Sequence, residues 1–262
     1  MLPLAPPSKA TCARLRKLHT RKGRSASGRF LAEGPKVVLE AFRAGLVCHA
    51  VVVSDDIAEE DMLAVEKFGT CFPMDGLSMA RPSDFKRLAT TQSPQGVVAE
   101  FDQPPQPVFE QIGEAGGLLI ILDGLQDPGN VGTAVRSAAA LGATNLVVTT
   151  GSVDLWNPKT VRASAGALFR VLVWNEIESN QLADLLSEKD LTVWTAAPVG
   201  QSVFELTSIP DRLAIVFGNE SRGVGPSWPD CERICIPMEN GVESLNVATA
   251  VATILGLLKG KA

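Results

Sequence analysis

Long hydrophobic runs are missing from this 262-residue chain. The densest, Leu118–Leu122, falls far short of the ~18 apolar residues of a membrane-spanning helix. The opening stretch MLPLAPPSKA has neither a basic start nor a long apolar run, so no secretory signal is expected. The five cysteines are odd in number and lack tight spacing, which fits a reducing, cytoplasmic setting and a soluble protein. Cys231 and Cys235 lie four apart, but the only histidines are His19 and His49. Neither a zinc site nor a His-based triad is therefore expected, and no metal is assigned. No Lys-Ser or Lys-Thr follows Gly223, which excludes a Walker phosphate loop, and DGLQDPGNVG fits the Gly-rich turn of a dinucleotide fold poorly. No repeat of 20–50 residues is present.

With 45% hydrophobic and 20% charged residues, the chain can bury a real core, in one large or two ordinary domains. Its net charge of −5 is uneven. Residues 1–32 carry eight Lys or Arg and no acid, which leaves 16 basic and 29 acidic residues, a net −13, for the rest. A basic segment on an acidic protein points to a local polyanion contact, here through Arg21, Arg24 and Arg29; the alternative is a solvated basic helix.

Residues 10–21 have the pattern of a short basic helix, and RKGRSASGRF that of a turn region. Pro35–Ala44 has helical spacing closed by Gly45; HAVVVS and GVVAEF are short buried strands. These are the parts of a small α/β unit, taken as residues 1–102. The proline-rich QPPQP, Gln103–Pro107, holds the chain extended, and residues 103–116 are assigned as a linker region. Beyond it, LLIILDG, NLVVTT, RVLVW, LTVWTA, LAIVFGN and RICIPM are six short apolar runs, most of them separated by helical segments. That alternation predicts a mainly parallel sheet covered on both faces, over residues 117–262.

Ligands of such sheets sit at the carboxyl ends of the strands. Three ends are rich in candidates. After LLIILDG, Asn130 is placed to cap a helix starting near Val131, and Arg136 lies further along that helix. After LAIVFGN come Gly218, Glu220 and Gly223. After RICIPM, the loop carries Gly241, and Ser244 and Asn246 precede a helix with a stripe of Val247, Val251, Ile254, Leu255 and Leu258. Each feature alone has a plain structural explanation as a cap, a loop carboxylate or a core stripe.

Taken together and in this order, the three segments resemble the motifs of the SpoU/TrmH family of RNA methyltransferases in the SPOUT superfamily. Asn130, Gly132 and Arg136 match the first motif; Gly218, Glu220 and Gly223 the second; and Pro237, Met238, Ser244, Leu245, Asn246 and Val247 the third. GPKVVLEAFRAG, preceded by FLAEG, resembles the family's N-terminal substrate-binding domain. The resemblance implies an α/β; SPOUT trefoil-knot domain and a small N-terminal α/β substrate-binding domain. It also implies S-adenosyl-L-methionine as cofactor, held largely through backbone groups. Gly218, Ile236 and Leu245 occupy the contact positions, and Met238, Thr195 and Ala196 line the same pocket. The implied reaction is methyl transfer to a ribose 2′-hydroxyl. Arg136 is the catalytic arginine, and Asn130, Glu220, Ser244 and Asn246 orient it and the ribose. A homodimer acting on RNA is implied, without metal or membrane. The separate N-terminal domain favours ribosomal RNA (23S-type) as substrate. The alternatives are a transfer-RNA 2′-O-ribose methyltransferase or a catalytically silent RNA-binding assembly factor of the same fold.

Overall fold

A computed structural model describes residues 4–66, 76–114, 117–219, 222–229 and 231–261. Two compact units divide the chain. One comprises Met1–Pro105 with Trp156–Phe169, the other Gln106–Leu155 with Arg170–Ala262. No described helix is long and apolar enough to cross a membrane.

The first unit begins with α1 (Lys9–Lys17), started by the Ser8 hydroxyl, which accepts from the Thr11 N–H at 3.1 Å. RKGRSASGRF is not a turn region, as its Gly and Ser content suggests. It forms α2 (Arg21–Ser27) and the start of β1 (Arg29–Glu33). Thr20 caps the helix through the Gly23 N–H, and Gly28 ends it at φ 65°, a left-handed conformation that only glycine adopts without strain. Then follow α3 (Pro35–Arg43), β2 (Cys48–Ser54), α4 (Glu59–Glu66), β3 (Leu77–Ala80), α5 (Pro82–Phe85) and β4 (Val97–Asp102). The four strands form a mixed sheet in the order β1-β4-β2-β3.

Alternation along β1 sends Phe30 and Leu31 to opposite faces. Leu31 joins Leu15, Leu18, Val52, Phe85, Leu88 and Val98 in one buried cluster. Phe30 lies within 5.8 Å, ring centre to centre, of Phe101, Trp156 and Phe169. Trp156 and Phe169 bracket α7 (Pro158–Ala163), which is why this segment, though inserted between strands of the other sheet, belongs to the first unit.

The second unit contains all six apolar runs as strands: β5 (Leu118–Leu122), β6 (Ala143–Thr149), β7 (Leu172–Ile177), β8 (Thr192–Ser202), β9 (Leu213–Phe217) and β10 (Glu232–Cys235). Every pairing among them is parallel, in the order β10-β8-β9-β5-β6-β7. On one face Leu119, Ile121, Val147, Trp174, Ala214 and Val216 pack with Leu182 and Leu186 of α8 (Ser179–Glu188). Alternation turns Ile120, Leu122, Ile215 and Phe217 the other way. Two further helices, α6 (Pro128–Ala140) and α9 (Val247–Lys261), pack on each other. The stripe Val247, Val251, Ile254, Leu255 and Leu258 is buried throughout.

Candidate active site

The loops after β5, β6, β7 and β9 converge on one side chain. Asp123, just past the end of β5, is 8% exposed. Its Oδ1 accepts from the hydroxyls of Thr149 and Ser179, both at 2.8 Å. Its Oδ2 accepts from the Gly225 N–H at 3.0 Å and the Trp228 indole N–H at 3.3 Å. A buried carboxylate is tolerated when its oxygens are fully engaged, and these four donors do that without a cation. They also fix the loop after β9 against two neighbouring strand ends.

That loop doubles back on itself. The Gly223 N–H donates to the Asn219 carbonyl at 2.8 Å, and the Asn219 amide donates to the Gly124 carbonyl at 3.2 Å. Gly218 sits at the crossing. A Cβ there would lie 2.3 Å from the Gly223 carbonyl carbon and oxygen, so glycine is required by close backbone approach.

A cavity of about 390 Å³ opens beside this crossing. One wall comes from β8. Its register against β10 jumps from Thr195 opposite Arg233 to Gln201 opposite Ile234, so residues 196–200 bow outward. Ala196, Ala197 and Pro198 of that bow line the cavity, with Gly218, Asn219 and Arg222 beside them. The third wall is the loop from β10 to α9, through Ile236, Met238, Ser244 and Leu245, and the first turns of α9. An apolar cavity lined by backbone of these loops and by a few polar side chains fits a small ligand that is largely apolar with a few polar groups. Across the loop after β9, a more polar opening of about 820 Å³ shares Asn219, Arg222 and Gly223 with it.

The cavity thus gathers Ala196, Gly218, Ile236, Met238 and Leu245 from the sequence-based set. Thr195 is a correction. It is 4% exposed, its hydroxyl donates to the Glu232 carbonyl at 3.4 Å, and the lining begins one residue later. Asn130 is also corrected in one respect. The N-cap of α6 is Asp127, whose carboxylate accepts from the Asn130 N–H at 2.8 Å, so Asn130 stands inside the first turn. Its side-chain oxygen is thereby left to accept from the Asn246 amide at 2.9 Å. Asn246 in turn caps α9 through the Ala248 N–H at 2.9 Å. One side-chain bond therefore joins the first motif to the third, with Ser244 two residues away on the cavity wall. Arg136 is exposed on α6, is not among the lining residues, and has no polar partner among the described residues. Glu220 lies outside the described residues.

The basic segment is rearranged more than its charge suggested. Arg24 is 2% exposed and donates to the Leu18 carbonyl at 2.7 Å, so it is a structural residue and not an RNA contact. Arg29 pairs with Glu100 at 2.9 Å and Asp102 at 3.1 Å, so two carboxylates already engage the guanidinium that the sequence reading assigned to a polyanion contact. Arg21 is exposed. Charge counting cannot tell these cases apart, because a buried and a solvated arginine look alike in sequence. The sequence reading also missed Asp123 and the asparagine and arginine beside the second motif, Asn219 and Arg222. The only available signal was their position after a strand end. Among the described residues no group of three His, Cys, Asp or Glu is placed to hold a metal ion.

Comparison with known proteins bears on both units. Residues 117–256 match the SpoU rRNA Methylase family, and residues 10–99 match the MRM3-like substrate binding domain. The chain is similar to the 23S rRNA (guanosine(2553)-2'-O)-methyltransferase RlmP of Bacillus subtilis, at 30% identity over 247 residues and 94% of each chain. A solved TrmH-family structure from Porphyromonas gingivalis is 33% identical, with a TM-score of 0.83 over 98% of this chain and 100% of that one. The SpoU methyltransferase AviRb from Streptomyces viridochromogenes, solved in complex with AdoMet, shares the fold at 23% identity and a TM-score of 0.81, over 97% of this chain and 98% of that one. The chain therefore belongs to the SpoU rRNA methylase family.

Proposed function

We propose that this protein transfers a methyl group from S-adenosylmethionine to a ribose 2′-hydroxyl of ribosomal RNA. The observation that carries the reading is the cavity at which the second and third motifs meet, with the Asn130–Asn246 bond bringing in the first. The cofactor would be held by the backbone of Gly218, Ile236 and Leu245 and by the side chain of Met238. It supplies the methyl group on a sulfonium leaving group. Relatives named 23S rRNA 2'-O-methyltransferases, RlmP among them, support ribosomal RNA over transfer RNA and an active enzyme over a silent assembly factor.

The chain's own residues then have two tasks, aligning the ribose and accommodating the charge and proton of its hydroxyl. Guanidinium groups stay protonated in proteins, so Arg136 serves as a clamp and not as a base. It holds the adjacent phosphate and stabilises charge developing on the 2′-oxygen, and the hydroxyl proton leaves to phosphate, water or a neighbouring group. Asn130 and Asn246 fix the helix ends on either side, and Ser244 and Glu220 orient the ribose. Arg136 stands outside its own chain's cavity, which supports a homodimer in which the RNA site is shared and Arg136 serves the cavity of the second copy. Residues 1–102 would bind the RNA substrate, 103–116 would link, and 117–262 would methylate, with the C-terminal chain forming the family's trefoil knot. Action on ribosomal RNA fits a cytoplasmic protein.

Incubation with methyl-labelled S-adenosylmethionine and unmodified ribosomal RNA tests the reading. Label should enter the RNA and be lost in the Arg136→Ala variant. RNA that is bound but never labelled would instead support the silent assembly factor.

A further inference from the structure

The N-terminal unit contains a groove of about 500 Å³ that none of the family motifs touches. It lies where α1 meets the segment from β3 to Leu88. Ala80 and Leu88, both almost fully buried, form its floor together with Met79. The Ala5 carbonyl accepts from the Met79 N–H at 3.1 Å, and this holds Pro6 and Pro7 along the open edge of β3 as a side wall. Arg16, Arg81 and Arg87 are exposed and line the groove.

The three guanidinium groups are positioned differently from those of Arg24 and Arg29. Arg16 uses its Nε on the Cys12 carbonyl at 3.2 Å, which leaves its two terminal nitrogens available. Arg81 meets Asp84 at 3.3 Å in a pair whose members are 80% and 48% exposed. Arg87 has no polar partner among the described residues. One carboxylate against three guanidinium groups leaves the groove positive in a chain whose net charge is −5. An apolar floor beneath a guanidinium rim matches a nucleic-acid strand, in which phosphates meet the rim and a sugar or base covers the floor.

We propose that this groove is a docking subsite for a single-stranded segment of the RNA substrate, with Arg16, Arg81 and Arg87 as its phosphate contacts. The assignment rests on the RNA-methyltransferase reading for the identity of its ligand.

The test uses the full chain and a short mixed-sequence single-stranded RNA, titrated over a range of potassium chloride. Each lost phosphate contact lowers the slope of log affinity against log salt by about 0.7, so replacing all three arginines by glutamine should lower it by about 2. Replacing Arg233 and Lys259 of the other unit by glutamine should leave it unchanged. Calorimetry with S-adenosylhomocysteine checks that the variants are folded. A second readout needs no variant. Cys12 also lines the groove, so bound RNA should slow its alkylation several-fold in the wild-type protein, while Cys231 in the other unit should be unaffected. An unchanged salt slope, or an unprotected Cys12 in the presence of bound RNA, overturns the groove. A chain that methylates RNA while Cys12 stays unprotected refutes the subsite alone. Protection and slope loss without methyl transfer refute the enzymatic reading alone.

Discussion

Glu100 in the N-terminal unit and Asp123 in the C-terminal unit are both nearly sealed from water, yet they are satisfied in opposite ways. Glu100, 1% exposed, sits between two cations, Arg14 at 3.0 Å and Arg29 at 2.9 Å. Asp123 takes only neutral donors, two hydroxyls, an indole and a backbone N–H. In the first unit, arginines that count as positive charge in the sequence are absorbed by the sheet. In the second, two of the neutral donors, Gly225 and Trp228, belong to the loop after β9, so satisfying the carboxylate also anchors the loop that forms one wall of the cavity. The same problem, a buried carboxylate, is answered by charged partners in one unit and by neutral donors in the other.

Replacement of Arg136 should have the largest effect on this division. Arg136→Ala and Arg136→Lys are both expected to lose at least ~100-fold in single-turnover rate, about 2.7 kcal/mol, because lysine keeps the charge but not the planar fork. Their affinity for S-adenosylhomocysteine should stay near wild type. A near-normal rate in Arg136→Ala would return Arg136 to an ordinary surface residue.

Arg29→Ala should come next. It leaves Glu100 buried with one cation, itself half exposed, and should cost about 2 kcal/mol of stability after allowance for solvent screening. Denaturant unfolding reads the loss, and cofactor affinity should not move. A stability unchanged by this substitution would mean that the sheet does not depend on the pair.

Gly218→Ala should weaken S-adenosylhomocysteine binding at least tenfold, about 1.4 kcal/mol, by pushing the Gly223 backbone away from the crossing. Calorimetry at wild-type affinity in a folded variant would remove Gly218 from the site. Ser179→Ala takes one of four donors from Asp123 and should cost only about 1 kcal/mol, less than Arg29→Ala. The reverse order in unfolding experiments would break the contrast between the two carboxylates.

The smallest effect concerns Cys48. Burial, reinforced by Glu100, pushes its thiol up to about 12. At neutral pH it should therefore remain a thiol and resist alkylation in the native protein, since the thiolate is the reactive form. Rapid native-state labelling of Cys48, mapped by mass spectrometry, would contradict this.

The six parallel strands were legible because strands buried on both faces read as continuous apolar runs. The loops of the site were legible through the order of the three motifs and not through any one residue. The local capping choice after β5 was not, since Asp127 and Asn130 are both good caps and only the backbone decides between them. Nor was the outward bow of β8, which depends on a register shift against a strand some thirty residues later and places Ala196 but not Thr195 in the cavity. The fates of Arg24 and Arg29 were hidden because their partners, Leu18 and Glu100, are set by the tertiary fold.

The position of the transferred methyl group tests the central claim most directly. Ribosomal RNA labelled by the wild-type protein should be digested to nucleosides and separated by mass spectrometry. The label is predicted to appear in a 2′-O-methylated nucleoside, with the neighbouring linkage resistant to alkali. Label carried on a base, with the ribose unmodified, would contradict the account.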